Sequence, residues 1–376
     1  MTKTIVHYNL DNIDKEDATI NIIWGERSNG KSYQVKHKKA VDKFIKTGRR
    51  FILMRRWKEE ITTEKIEQYF QDVDVYHLTQ GKYNCISMYK KQLYLANYDI
   101  ENGKTTRGDK IGYVVALSTE QNYAGASYLD VDDIIFEEFM SRSVYIGNEA
   151  DKLINFYSTV DRKRHKTKLW LVGNTISRVC PYLTDWDLQS IIQAQKQGTI
   201  VTTYLPTGTF DENNEEIKLK CAIEYCSSTG NSSFAIGKHK EMLNKGTWQS
   251  DPQPHLPKSY KEYRMLYRIG FLYQGFKFLG ELLTDDNDLV WFIYPYKKEF
   301  KDDLIVFSDI IKTSKYYQRN IYDITINNDK LKEIFRTFRE DKIFYSTDLA
   351  GTDFKQCIDF EIRRWYYGKK YKINFI

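Results

Sequence analysis

Gly25, Gly30, Lys31 and Ser32 stand at the spacing G-x-x-x-x-G-K-[ST] within Gly25-Glu26-Arg27-Ser28-Asn29-Gly30-Lys31-Ser32. Each residue type answers a requirement of phosphate binding. The glycines let the backbone curl so that successive N–H groups, from Gly25 through Ser32, point into one concavity. That concavity holds phosphate oxygens together with the N-terminus of the following helix. Lys31 brings a mobile charge to the β- and γ-phosphates, and the Ser32 hydroxyl is an oxygen ligand of the kind Mg²⁺ prefers. A second chemical pair, Glu137-Glu138, ends the apolar run Ile134-Ile135-Phe136. In ATP hydrolysis the first acid, Glu137, would hold the Mg²⁺ shell, and the second, Glu138, would polarise the attacking water. Asp is usual at the first position, so the extra methylene of Glu137 is a departure that suits coordination through water.

This chemistry needs a strand before the loop, a helix after it, and a neighbouring strand to deliver the acids. Ile20 to Trp24 supplies an apolar run, and Tyr33, His37, Ala40, Val41 and Phe44 follow at helical steps, with Lys36, Lys38, Lys39, Lys43 and Lys46 placed largely on the other side. The helix should end near Thr47-Gly48, and Phe51 to Met54 reads as a buried strand capped by Arg55 and Arg56. Those arginines either reach phosphate or DNA at the strand's carboxyl end or form paired surface charges. Ile61 to Tyr76 reads as helix then short strand, Asn84 to Tyr98 alternates like antiparallel strands, and Glu101 to Lys104 is a turn before a strand at Gly112 to Leu117. Asp132 and Asp133 begin the strand that ends in Glu137, where they cap or solvate. Lys168 to Thr175 is a further strand, whose Asn174-Thr175 end either senses the γ-phosphate or caps a helix. Joined in one parallel sheet, these segments would put a strand between the P-loop strand and the acid-bearing strand. That is the arrangement of the additional-strand, catalytic-glutamate NTPases rather than of kinases or small GTPases.

At 376 residues the chain has room for two domains. A net charge of +6 permits a polyanionic partner without requiring one. The five cysteines form no C-x-x-C pair, the six histidines do not gather at zinc-ligand spacing, and no apolar run approaches a membrane span. Reduced thiols, a cytoplasmic location and no membrane contact are expected. The polar stretch Asp211 to Glu216, the Ser/Gly/Asn-rich stretch Ser227 to Ser233, the helical pattern Lys238 to Leu243 and the prolines at 252, 254 and 257 mark a change of character. The expected division is an ATPase domain over 1–215, a linker over 216–258 and a smaller α/β domain over 259–376. In the last, Gly270 to Leu283 and Asp288 to Tyr296 read as extended segments around a turn at 284–287, and Leu331 to Phe338 reads as an amphipathic helix. The candidate first strand, Phe271 to Leu279, carries no acid. Near the end, Arg363, Arg364, Lys369, Lys370 and Lys372 interleave with aromatic residues, as a solvated terminal strand or a nucleic-acid contact.

With the P-loop, the Ile134 to Phe139 strand and the Leu171 to Thr175 strand in this order, the chain resembles the DNA encapsidation (packaging) ATPases of small podoviruses. The resemblance covers roughly the first 210 residues, and the remainder only by size and order of elements. Arg27 is similar to the arginine that many viral packaging motors carry inside the P-loop. The resemblance implies a homomeric ring, a pentamer, docked on the portal of an empty capsid in the host cytoplasm and driving double-stranded DNA inward with ATP and Mg²⁺. It leaves open a need for structural RNA. It also implies a linker and a carboxy-terminal domain resembling an RNase H-like nuclease without activity. A neighbouring subunit would supply an arginine to the transferring phosphoryl group. Arg162 and Arg164 match that arginine by order, with a solvated basic loop as the alternative. One departure is Tyr123-Ala124-Gly125-Ala126-Ser127, where related motors often place a lysine: Ala124 supplies no cation. A helicase or DNA-remodelling ATPase of the same class would share every hydrolysis residue. Glu138 argues against a scaffold that binds nucleotide without turning it over.

Overall fold

The computed structural model describes residues 7–123, 125–141, 145–228, 245, 247–308, 317–318, 338 and 342–371, with 361–371 as backbone only. They form two compact units, one containing residues up to Ile176 and returning at Ala194, the other containing Ser177–Gln193 and the chain from Trp248 onward.

The first unit is built on a nine-stranded sheet. Its order is β3 (Cys85–Tyr89), β4 (Gln92–Asp99), β5 (Lys104–Ala116), β2 (Arg50–Arg55), β6 (Val131–Glu137), β7 (Lys168–Asn174), β1 (Ile20–Gly25), β9 (Glu216–Tyr225) and β8 (Thr199–Phe210). The six strands from β5 to β9 run parallel, and antiparallel hairpins close both edges. Strands buried on both faces read as near-continuous apolar runs, and every residue of β1 is buried. β7 lies between β1 and β6, so the ends of β1, β7 and β6 share one edge of the sheet. In open parallel sheets ligands bind outside these carboxyl ends.

Two boundaries differ from the sequence expectation. Residues 216–225, assigned there to a linker, are β9, which pairs with β1 because Cys221 to Tyr225 supply a buried face. Residues 177–193, assigned to the ATPase domain, belong to the second unit. The region after Phe70 also differs: Val75–Leu78 is a helical turn capped by Asp74, whose carboxylate accepts from the His77 N–H, and not a strand.

The second unit holds a six-stranded sheet in the order β14 (Tyr317–Gln318), β13 (Val306–Ser308), β10 (Arg264–Tyr273), β11 (Phe276–Thr284), β12 (Leu289–Pro295) and β15 (Ile343–Tyr345). β10, β11 and β12 form an antiparallel meander, and β13 runs parallel to β10. Phe271, Phe278, Trp291, Phe307 and Phe354 fill its core. The expected strand Phe271 to Leu279 is two strands, because Gln274 and Gly275 both adopt positive φ and make a tight turn. Such turns are signalled most clearly by Asn-Gly or Asp-Gly, a signal that Gln-Gly lacks. The helix Asp348–Tyr371 takes in most of the basic-aromatic run, which is therefore helical and not a terminal strand. Lys372, the side chains of Arg363 to Lys370, and the Leu331 to Phe338 and Lys238 to Leu243 patterns lie outside the described residues, apart from Phe338, which packs in the core. The cysteines are free. Among the described residues no helix is long and apolar enough to cross a membrane.

Candidate nucleotide-binding and hydrolysis site

Strand β1 ends at Gly25, where a Cβ would come within 2.8 Å of the Cβ of Cys226, the residue that follows β9, so this close approach requires glycine. Gly30 has φ 95°, a left-handed conformation that only glycine adopts freely, and it turns the chain into the helix Lys31–Val35. Lys31 is buried. Its ammonium donates to the Glu26 carbonyl, to Asn29 Oδ1 at 3.1 Å and to Asn174 Oδ1 at 3.4 Å. Burial lowers the Lys31 pKa. The loop's own oxygens thus stand in for phosphate around the ammonium. Glu26 is buried and accepts from Ser228 Oγ at 2.8 Å, whereas Arg27 and Ser28 are exposed on the rim. The Thr175 hydroxyl, beside the loop through its N–H to the Gly25 carbonyl, is buried and has no hydrogen-bond partner among the described residues.

Glu137 is buried at the end of β6, and both its oxygens are engaged. Ser32 Oγ donates to Oε2 at 2.9 Å, and the Tyr69 hydroxyl donates to Oε1 at 2.7 Å. Burial pushes the Glu137 pKa up, while these two donors pull it down. Burial raises the Tyr69 phenol well above its ordinary range. Glu138 follows with φ 56°, a conformation unusual for a residue with a side chain, and its carboxylate is exposed. Arg55 Nη2 holds it at 3.0 Å, with Arg55 Nε on Glu60 at 3.2 Å. Arg56 turns the other way: it is buried, faces both Glu149 oxygens at 3.0 Å, and donates to the carbonyls of Glu138 and Phe139. Neither arginine is a free surface charge. A cavity of about 530 Å³ beside the loop is lined by Ser32, Lys36, Arg55, Tyr69, Glu137 and Glu138, among others.

These residues fit Mg²⁺ and a nucleotide triphosphate. Mg²⁺ is usually held by one or two carboxylates plus phosphate oxygens and water rather than by an all-protein cage, and Ser32 with Glu137 is such a partial set. The phosphate side of the fit rests on the Gly30 turn, the Lys31 ammonium and the buried Thr175 hydroxyl.

The structure gathers Gly25, Glu26, Asn29, Gly30, Lys31, Ser32, Glu137, Glu138 and Asn174 at one sheet edge. It does not bring Arg162 or Arg164 there. Arg164 donates to the carbonyl of Val131, the first residue of β6, and to those of Leu129 (2.9 Å) and Val160 (3.1 Å), and to Thr167 Oγ1 (3.1 Å). Glu137 is the last residue of that strand, roughly 20 Å away at about 3.3 Å per residue. Within its own chain Arg164 braces the start of β6. Arg162 is exposed, with Nη2 on the Ala126 carbonyl at 2.7 Å. Asp133 is buried, accepting from Trp170 Nε1 at 2.8 Å and pairing with Lys43, where the sequence suggested a solvated cap. Two residues at the site went unnoticed in the sequence. Tyr69 is brought in by the fold alone, and Lys36, the first residue of the π-helical stretch Lys36–Asp42, is buried against its ring.

A family model described as Podovirus DNA encapsidation protein (Gp16) matches residues 1–197. The DNA packaging protein of Bacillus phage B103 is 33% identical over 180 residues, covering 46% of this chain and 49% of that protein. The DNA packaging protein of Bacillus phage phi29 is 30% identical over 184 residues, covering 48% and 50%. The chain spans about half the length of the curated relatives it matches. A chain of the bacteriophage Phi-29 viral genome packaging motor assembly superposes over 96% of this chain and 99% of its own, with a TM-score of 0.56 and 21% identity, and so shares its fold. With more than half its length matched by that family model, and the loop and acid pair in the geometry described, the chain belongs to the podovirus DNA encapsidation protein family.

Proposed function

We propose that this protein is an ATP-hydrolysing motor that moves double-stranded viral DNA into a preformed capsid. The observation that carries the reading is the convergence of Lys31, Ser32, Glu137 and Glu138 at the carboxyl ends of β1 and β6. Bound Mg²⁺ would neutralise charge on the β- and γ-phosphate oxygens. Lys31 exchanges its contacts with the loop for phosphate, Ser32 and Glu137 hold the cation, and Asn174 lies against the Lys31 ammonium to sense the γ-phosphate. Glu138 polarises water only after leaving Arg55, so the Arg55 contact holds the resting state. The β6-β7-β1 order supports membership of the additional-strand, catalytic-glutamate class.

The first unit is assigned the ATPase work and the second a DNA- or portal-gripping role. A parallel β13 added to the β10-β11-β12 meander supports an RNase H-like arrangement. An RNase H-like nuclease gathers carboxylates on two metal ions, whereas β10 carries no acid, and Glu281 on β11 is buried under Arg268, Tyr260 and Tyr294. A nuclease activity is therefore not assigned. Arg363, Arg364, Lys369, Lys370 and Lys372 are the proposed phosphate contacts. The assembly proposed is a homomeric ring, a pentamer, on the capsid portal in the host cytoplasm, with Arg162 and Arg164 the candidates for action across a subunit boundary. Electron microscopy of the purified protein with empty capsids tests this reading. A ring at one vertex supports packaging, and a ring found only on free DNA makes the protein a helicase or remodelling ATPase of the same class.

A further inference from the structure

Glu137 reaches one methylene further than the Asp usual at its position, and a longer side chain has an extra torsion to fix. The structure fixes it from two sides. Among the described residues the side-chain donors to its carboxylate are Ser32 on Oε2 and Tyr69 on Oε1, at 2.9 and 2.7 Å. Ser32 is itself the hydroxyl offered to the cation, so its contact with Glu137 is the one that cation binding alters. Tyr69 has no such second duty. Its phenol is protonated at neutral pH and donates.

Tyr69 is in turn held rigidly. It sits on the helix Thr63–Phe70, whose first turn is capped by Thr62 Oγ1 accepting from the Lys65 N–H. The Lys36 ammonium lies 4.6 Å from the Tyr69 ring centroid, donates to the Tyr69 carbonyl, and pairs with Asp72. Phe70 packs edge-on to the ring at 4.9 Å. Lys36 is itself buried, which keeps these contacts out of bulk water.

We propose that Tyr69 is a positioning residue: its hydroxyl fixes the Glu137 carboxylate in the orientation that receives the divalent cation accompanying the nucleotide. Outer partners of this kind fix ligand orientation, and losing them typically weakens metal affinity 10–100-fold. The proposal rests on the reading of Lys31, Ser32 and Glu137 as an ATP site.

The test uses the full chain and binding alone. A fluorescent ADP analogue is titrated in EDTA and again across a Mg²⁺ series, for the wild type, Tyr69→Phe, Glu137→Gln and the double variant, with a melting curve for each. Tyr69→Phe should bind the analogue in EDTA as the wild type does, melt close to it, and need about tenfold more Mg²⁺ to reach the half-point of tightened binding. In the Glu137→Gln background the Tyr69→Phe change should shift the half-point no further. An unchanged half-point in Tyr69→Phe, or a further shift in the double variant, would overturn the positioning role while leaving the ATP site in place. A wild type that binds no nucleotide, with or without Mg²⁺, would overturn the site itself and the proposal with it.

Discussion

Replacing Arg56 by Met should unfold the first unit well below its normal melting temperature. Arg56 is 5% exposed and Glu149 is fully buried. Their contact is reinforced by Arg56 donating to the carbonyls of Glu138 and Phe139. Removing one partner of a buried ion pair costs about 3–5 kcal/mol. For a unit of this size each kcal/mol lowers the melting temperature by roughly 2–4 °C, so the shift should fall between about 6 and 20 °C. Arg56→Met/Glu149→Gln should be less destabilised than Arg56→Met alone, because the carboxylate that faced Arg56 is then neutral and its amide still accepts from the Ile146 N–H now 2.7 Å from Glu149. Urea unfolding of the two single variants and the double variant gives the coupling directly. The same substitution should slow turnover, since Arg56 holds the carbonyl of Glu138 in its φ 56° conformation. A cost below about 1 kcal/mol, the scale of an exposed pair, or simple additivity in the cycle, would refute the reasoning.

Lys31→Ala should abolish or greatly weaken nucleotide binding, while Glu138→Gln should keep binding and lose steady-state hydrolysis. Retained turnover in Glu138→Gln would remove that residue from its role. Arg164→Ala should lower the melting temperature through lost carbonyl contacts, whereas Arg162→Ala should melt normally and lose turnover. Mixing Arg162→Ala with Lys31→Ala subunits should then restore some activity, and no recovery at any ratio counts against action in trans. In the second unit, the Tyr345 carbonyl and then the Asp348 carboxylate hold the His255 pKa above its ordinary value. A raised folded-state pKa stabilises fully below the unfolded value near 6.5 and loses that contribution as pH rises through the folded value. The melting transition of this unit should therefore fall on going from about pH 6 to 8, less steeply in His255→Asn, and equal slopes would contradict the assignment.

The P-loop and the acid pair were legible because their chemistry dictates residue type at fixed spacing, and the strands beneath them because they are buried on both faces. The order of β6, β7 and β1 was expected only on condition that these strands join one parallel sheet, because apolar runs do not themselves set strand order. What escaped were features set by distant contact. Lys36 belongs to the apparent solvent face of the helical pattern and is nonetheless buried beside Tyr69. Tyr69 meets Glu137 across 68 positions, and no local pattern marks it. Arg164 looked like a free basic residue because most of its hydrogen bonds go to backbone carbonyls, which leave no trace in a sequence. β9 was hidden by the polar, turn-rich residues before it, although its last five residues are all buried.

If hydrolysis at Glu138 drives DNA into a capsid, as proposed, packaging and turnover must be lost together. Purified protein is combined with empty capsids, double-stranded DNA and Mg-ATP, and the DNA that survives nuclease treatment is measured. The wild type should protect DNA in proportion to ATP consumed, and Glu138→Gln should protect none while still binding nucleotide. ATP consumption without protected DNA, or protection by the Glu138→Gln protein, would contradict the account.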